Sequence, residues 1–269
     1  MFDRLKVSAI TALLLAAVLI ASCSDDPASA DEEPPQMPPP QSMEMDFSAF
    51  NTQKVDQQKA KSAENFSRAA ITALILKGVV DVNLAIPRVL LAAANNADAN
   101  LNADGEWEWS FSKTARDTSF EVSLLASRTD QDSVNWELYI TNPSLDLNNQ
   151  LLFDGTTSAD GTEGSWSYYN WKNSANQQQV SQVDWTVAAE DDVQLRLEVT
   201  SDRNGNQGDY IDYTYQDSLK TAIYYDNSEN EQTEIQFNVD TKAGYIISPD
   251  FNNGNKACWD ENLQDVACE

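Results

Sequence analysis

Between residues 107 and 239 the chain repeatedly alternates apolar and polar side chains with a period of two, and no helical spacer separates the repeats. Trp107, Trp109 and Phe111 share one side of the first run. Phe120, Val122 and Leu124 do so in the next, followed by Val134, Trp136, Leu138 and Ile140. Further along come Val183, Trp185 and Val187, then Val193, Leu195, Leu197 and Val199. Ile211, Tyr213 and Tyr215 follow, then Ile235, Phe237 and Val239. Stretches such as DGTTSADGTEG, DRNGNQG and DNSENE separate the runs and supply turn chemistry. Parallel strands need long crossovers, so strands this closely spaced pair antiparallel. Clean alternation means one buried face and one wet face. The expectation is an antiparallel meander of about ten strands, and a twisted sheet of that width curls into a barrel or half-barrel. Gly105, Gly164 and Gly208 each precede an aromatic-led run, which reads as reused turn chemistry rather than a solenoid repeat.

Upstream of the strands the period changes. From about Val55 to Lys77 helix formers dominate, and Phe66, Ala70, Ala73 and Leu74 recur at helical spacing, as do Ile71 and Ile75. Gly78 is placed to stop that helix, and a second helical piece is expected from Pro87 to Asn95 with the proline in its first turn. The intervening VVDVNLAI fits either structure. Ile71 to Ala94 is very apolar, yet Lys77, Asp81, Arg88, Gly78 and Pro87 argue against a membrane span. Something must cover such a segment, and the sheet is the expected cover. The fold class is therefore mainly β with an N-terminal helical segment, the meander packed on the helices. Residues 46–269 form a single domain: 46–98 mostly helical, 105–248 the meander and 249–269 a tail.

The first 45 residues have a different character. Arg4 and Lys6 precede an apolar run from Val7 to Ile20. That is about 14 residues, short of the roughly 20 that cross a bilayer and typical of a signal-peptide core. The run ends in Ile20-Ala21-Ser22-Cys23. An aliphatic residue, two small ones and a cysteine in this order resemble the lipobox of bacterial lipoproteins. The resemblance implies a signal peptide over 1–22, a diacylglyceryl thioether on Cys23 and a third acyl chain on its amine. Two or three chains anchor stably where one would not. Residues 23–45 are acidic and then proline-rich, and read as a solvated tether. Ser24 does not resemble the aspartate of the inner-membrane retention signal. Asp25-Asp26 resemble the export signal of Bacteroidetes surface lipoproteins. The expected address is the outer membrane, on its periplasmic or cell-surface face.

Composition narrows the partners. The chain carries 17 Lys and Arg against 43 Asp and Glu, a formal charge of −26, and no histidine. Such a surface repels nucleic acid and anionic head groups, so the membrane contact is expected through lipid alone. The acidity fits solubility or a saline habitat better than cation binding. Cys258 and Cys268 are the cysteines left after lipidation, and in an oxidising envelope they are expected to form a disulfide. Closing so short a loop stabilises by about 2–3 kcal/mol in the chain-entropy picture.

Without histidine there is no Ser-His-Asp or Cys-His arrangement and no usual zinc or haem ligand set. Neither a nucleophile elbow nor a phosphate-binding glycine loop is present. The chain is expected to be non-enzymatic. Two stretches carry candidate binding residues. Asn100, Asn102 and Asp104 precede Gly105 at alternate places of a calcium-loop pattern, but Phe111 stands where the closing glutamate belongs. In GSWSYYNW, Trp166 and Tyr168 share one face and Tyr169 and Trp171 the other, a candidate aromatic platform for a sugar. The functional reading is a lipid-anchored, non-enzymatic binding or envelope-maintenance module of a Gram-negative bacterium. Alternatives are a half-barrel carrier of lipid or hydrophobic ligand, by fold analogy, and a surface carbohydrate-binding protein.

Overall fold

Alternation in the sequence becomes alternation of burial along the strands. The computed structural model describes residues 33–50, 63–115, 117–129, 132–172, 177–202 and 205–268. Among the described residues one α-helix, α1 (Glu64–Ala94), precedes the strands, after two short 3-10 turns at Pro40–Met43 and Ser48–Phe50. The first seven are β1 (Ala99–Leu101), β2 (Trp107–Ala115), β3 (Thr118–Arg128), β4 (Ser133–Asn142), β5 (Leu147–Ser158), β6 (Glu163–Tyr169) and β7 (Gln179–Ala189). The rest are β8 (Asp192–Val199), β9 (Tyr210–Gln216), β10 (Leu219–Asp226), β11 (Glu231–Asn238), β12 (Gly244–Ile247), β13 (Ala257–Trp259) and β14 (Asp265–Val266). All fourteen join one antiparallel sheet in strict sequence order, and its two ends do not pair. The apolar runs lie on β2, β3, β4, β7, β8, β9 and β11.

Fourteen strands replace the expected ten or so. Some of the additions are very short: β12 has four residues and β14 two. The longest, β5, hides its period because its pairing with β4 shifts register at Leu138/Tyr139 and again between Ile140 and Asn142. Each shift swaps the face on which the apolar residues fall.

Tryptophans and glycines shape the inner face. Gly155 pairs with Trp166, Gly164 with Trp185 and Gly244 with Trp259. A Cβ on Gly164 would sit 2.9 Å from the Trp185 ring and 2.5 Å from the Thr156 carbonyl oxygen. Each indole thus lies over a strand interior that only glycine leaves open. Gly164 therefore does not open a turn, as the sequence suggested; it lies inside β6. Trp166 also stacks on Trp185 at 6.1 Å, and Phe153 meets it edge-on at 5.3 Å.

α1 runs unbroken through Gly78 and Pro87, where two helices were expected. A mid-helix glycine costs about 1 kcal/mol and a proline about 3. Burial outweighs both: Phe66, Ala70, Ala73, Leu76, Val80, Leu84, Leu90 and Leu91 form a continuous buried stripe, with Pro87 on the same side. Residues 55–62, the start of the expected first helix, lie outside the described residues. α1 packs against β2 and β3 and against β12, β13 and β14.

Two long-range contacts fix the N-terminal elements. Residues 33–50 include the end of the stretch read as a solvated tether, but Met43 and Met45 are buried there, as are Phe47 and Phe50. Scattered methionines supply enough apolar surface to seat an otherwise polar, proline-rich stretch. Lys220, nearly buried, is ion-paired with Asp46 and lies over the Tyr215 ring. Burial raises the Asp46 carboxyl, but Lys220 and the Ser48 donors outweigh it and hold the group below its ordinary range. The second contact caps α1. Its N-cap residue, Ala63, offers no side-chain acceptor. The Asp265 carboxylate accepts instead from the Glu64 and Asn65 amides at 3.1 and 2.9 Å. Asn65 also donates to the Cys258 carbonyl at 2.7 Å. Cys258 and Cys268 are disulfide-bonded, with Cα atoms 5.3 Å apart. The tail thus holds the carboxylate that neutralises the free N–H groups of the helix.

Asp265→Ala should lower unfolding free energy by about 1–2 kcal/mol, the usual worth of a cap. Combined with Cys258→Ser/Cys268→Ser, the loss should fall short of the sum, because both changes release one contact. Urea unfolding of the two variants and their combination measures this. Strict additivity would mean the disulfide does not position Asp265.

Candidate functional site

With the inner face packed, accessible chemistry lies on the outer face. There the register aligns Thr156, Ser165, Asp184, Arg196, Asp212 and Ile223 in one row across β5 to β10, each paired with the next. The row lines an open groove of about 890 Å³. Arg196 is its cation. The guanidinium is 3.4 Å from the Asp212 carboxylate, and its carbon lies 3.9 Å from the centre of the Tyr210 ring. Tyr210 in turn stacks on Tyr225 at 5.0 Å. Burial pushes the Asp212 carboxyl above its ordinary range, with Arg196 opposing. An oriented guanidinium beside two stacked phenols, in a row of hydroxyls and carboxylates, can hydrogen-bond and stack a polar ligand.

Tyrosine–carboxylate pairs recur on the same face. Glu137 and Asp154 stand directly opposite on β4 and β5, where like charges destabilise a sheet. Tyr139 donates to Glu137 and Tyr169 to Asp154, both at 2.9 Å. Tyr245 donates to Glu234 in the same manner. Partial burial, then the neighbouring carboxylate, pushes each of these phenols up to about 12. Each remains a neutral donor that spreads the charge of its acceptor.

The sequence candidates are not brought together. Cys23 lies outside the described residues. Asn100 sits on β1 opposite Glu108, while Asn102 and Asp104 belong to the β1–β2 turn. There the Asn102 Oδ1 accepts from the Asp104 and Glu106 amides at 3.0 and 2.9 Å. Its ligand oxygen is thereby committed to the turn, which is the backbone role such residues fill. Among the described residues, no three acidic or cysteine side chains converge on a metal-sized site.

The aromatic platform needs correction. Trp166 and Tyr168 point inward and are buried. Their Nε1 and hydroxyl, with the Trp185 Nε1 and Ser181 Oγ, have no hydrogen-bond partner. Tyr169 faces outward and is tied to Asp154, and Trp171 packs edge-on against Phe120 at 6.0 Å. The four rings therefore make no common surface. Alternation showed which residues share a face, but not that the Trp166 face is the inner one. The Arg196–Tyr210–Tyr225 stack is not legible in the sequence, because its members lie on three strands and only the register joins them. Comparison with protein-family models, known proteins and solved structures finds no match to this chain.

The tyrosine pairs set an alkaline limit. An unfolded phenol ionises near 10, whereas these three stay neutral to about 12. A raised folded pKa gives stability that is complete below about 10 and is lost as pH climbs through about 12. Urea midpoints should stay level from about pH 7 to 9 and drop above about 10, less steeply in Tyr139→Phe. Phenolate absorbance should show a late-ionising set of tyrosines. Uniform ionisation near 10 would contradict the pairing.

Proposed function

We propose that the chain is a lipid-anchored outer-membrane protein of a Gram-negative bacterium that acts by binding rather than catalysis, as a binding or envelope-maintenance module. One observation carries the binding part: the inner face is filled by the chain's own α1 and residues 43–50, which leaves the polar outer face for other molecules. The anchor rests on the order of basic residues, apolar run and Ile20-Ala21-Ser22-Cys23.

We read the sheet as a half-barrel. Fourteen strands about 4.8 Å apart would span about 62 Å if flat. The 31 residues of α1 reach only about 46 Å. α1 packs against β2 and β3 and also against β12 to β14, which favours a sheet bent to bring those strands nearer together. In this reading, helix and bend together fill the interior. A lipid carrier needs that interior open, so this alternative is the weaker one.

Surface carbohydrate binding keeps a specific support. The stacked Tyr210 and Tyr225 lie beside Arg196, which lines the groove of hydroxyl and carboxylate side chains, and together these groups offer the apolar face and the hydrogen bonds that a sugar ring uses.

Palmitate labelling in a bacterial host tests the anchor: the wild type should take up label and Cys23→Ala should not. Label persisting in Cys23→Ala rules the anchor out. Native mass spectrometry of the same material tests the interior. A bare polypeptide with its acyl groups agrees with a filled core, and an added phospholipid revives the carrier.

A further inference from the structure

The inward stripe of α1 explains only half of the helix. Its other side is also apolar, and among the described residues nothing covers it. Ile71, Leu74, Ile75, Val82 and Val89 are 37–72% exposed. By length and composition α1 is apolar enough to cross a membrane, although its inward stripe is committed to the sheet. Contiguous exposed apolar surface on a soluble, charged protein marks an interaction site.

The pattern on that side identifies the partner. Ile71, Ile75, Gly78, Val82, Ala85, Val89 and Ala92 follow one another at steps of four, three, four, three, four and three, the spacing of a coiled-coil seam. The two kinds of seam position differ in size. One set holds Ile75, Val82 and Val89, all β-branched; the other holds Gly78, Ala85 and Ala92 after Ile71. We propose that this seam joins a second copy of the chain as an antiparallel helix pair about a two-fold axis between Val82 and Ala85. In that register Ile75 meets Ala92 of the second copy, Gly78 meets Val89, and Val82 meets Ala85. Each layer from Ile75 to Ala92 matches a large side chain with a small one, as close packing requires, and Ile71 lies beyond these layers.

Charge agrees with the same register. Asp81 and Arg88 flank the seam on one edge, and antiparallel pairing sets each opposite the other in the second copy. Val79 and Ile86 meet likewise on the opposite edge. In a parallel pair, large residues would meet large and glycine would meet glycine, while Asp81 and Arg88 would face Ile86 and Ala93. Arg88 already lies 3.7 Å from Glu44, and Lys77 is paired with Asp81, so the new contacts would extend two existing pairs. α1 carries Arg68, Lys77 and Arg88 against Glu64 and Asp81. Two strongly acidic chains can therefore meet along it without the repulsion their other faces would bring. The same patch on each copy makes a closed, isologous contact.

Gly78 supplies the test. A Cβ there meets nothing within 4 Å in one copy, so Gly78→Leu is accommodated in the monomer and favours helix. In the pair it collides with Val89 of the second copy, and Gly78→Leu/Val89→Ala reopens the space. Sedimentation equilibrium of the purified protein in density-matched detergent should give, at micromolar concentration, twice the mass that a denaturing mass spectrum records for one copy. Gly78→Leu should weaken association at least tenfold with an unchanged or higher melting temperature, and the double variant should recover most of the loss. Co-expressed Val82→Cys and Ala85→Cys copies should cross-link to each other more readily than either does to itself. Three outcomes overturn the proposal: a monomeric wild type, a dimer indifferent to Gly78→Leu, or cross-linking of like residues, which marks a parallel pair. If the wild type is monomeric, flotation with phosphatidylethanolamine vesicles shows whether a bilayer covers the seam. No arm depends on the lipid on Cys23, so the anchor and the seam can fail separately.

Discussion

A wide sheet with a tryptophan-rich face is stable only when that face is covered, and here α1 is the main cover among the described residues. Trp136, Trp166 and Trp259 are fully buried, as are Phe120 and Phe153. Burying a large apolar side chain stabilises by about 1.5–3 kcal/mol, all of it lost if the cover lifts. The remaining features serve this contact. Glycines opposite tryptophans let the sheet accept the rings. Residues 33–50 fill what α1 leaves open, and Asp46 clips them to Lys220. Asp265 holds the start of the helix from the far end of the chain, so the cover is tied to the last strands as well as leading into the first.

This dependence explains why an unfavourable helix persists. Read locally, Gly78 and Pro87 divide the segment, and two shorter helices are the natural expectation. Local propensity cannot register that the segment has to span from the last strands of the sheet to the first. Once it does, a break at Gly78 would leave Val80 and Leu84 misaligned with the inner face, which outweighs what glycine and proline cost.

The legible part of the sequence was whatever repeats at a fixed short period. Trp109, Trp136, Val183 and Leu197 declared both their strands and their shared face, because a residue on a regular strand has no other way to alternate. β5 did not declare itself, since its register shifts erase the period. The inner or outer sense of the Trp166 face was equally hidden, because both faces of β6 are aromatic. The Arg196–Tyr210–Tyr225 stack needs the pairing of three strands, and no single strand contains that information. The Asp265 cap was invisible for the same reason: helix and acceptor are separated by nearly the whole domain.

Acidity and apolarity are segregated in this molecule. The outer sheet face spaces its carboxylates with tyrosine hydroxyls and keeps its most exposed apolar groups few. The outer side of α1 does the reverse, with aliphatic residues in sequence and its few charges nearly balanced. A face maintained only for solubility would not gather β-branched residues at every second seam position and small ones between. Nor would packing on the sheet require it, because the sheet touches the other side. The alternation in size therefore asks for a surface that repeats it in reverse order. An antiparallel copy of the same helix is such a surface, whereas a lipid bilayer is fluid and gains nothing from large and small residues in alternation.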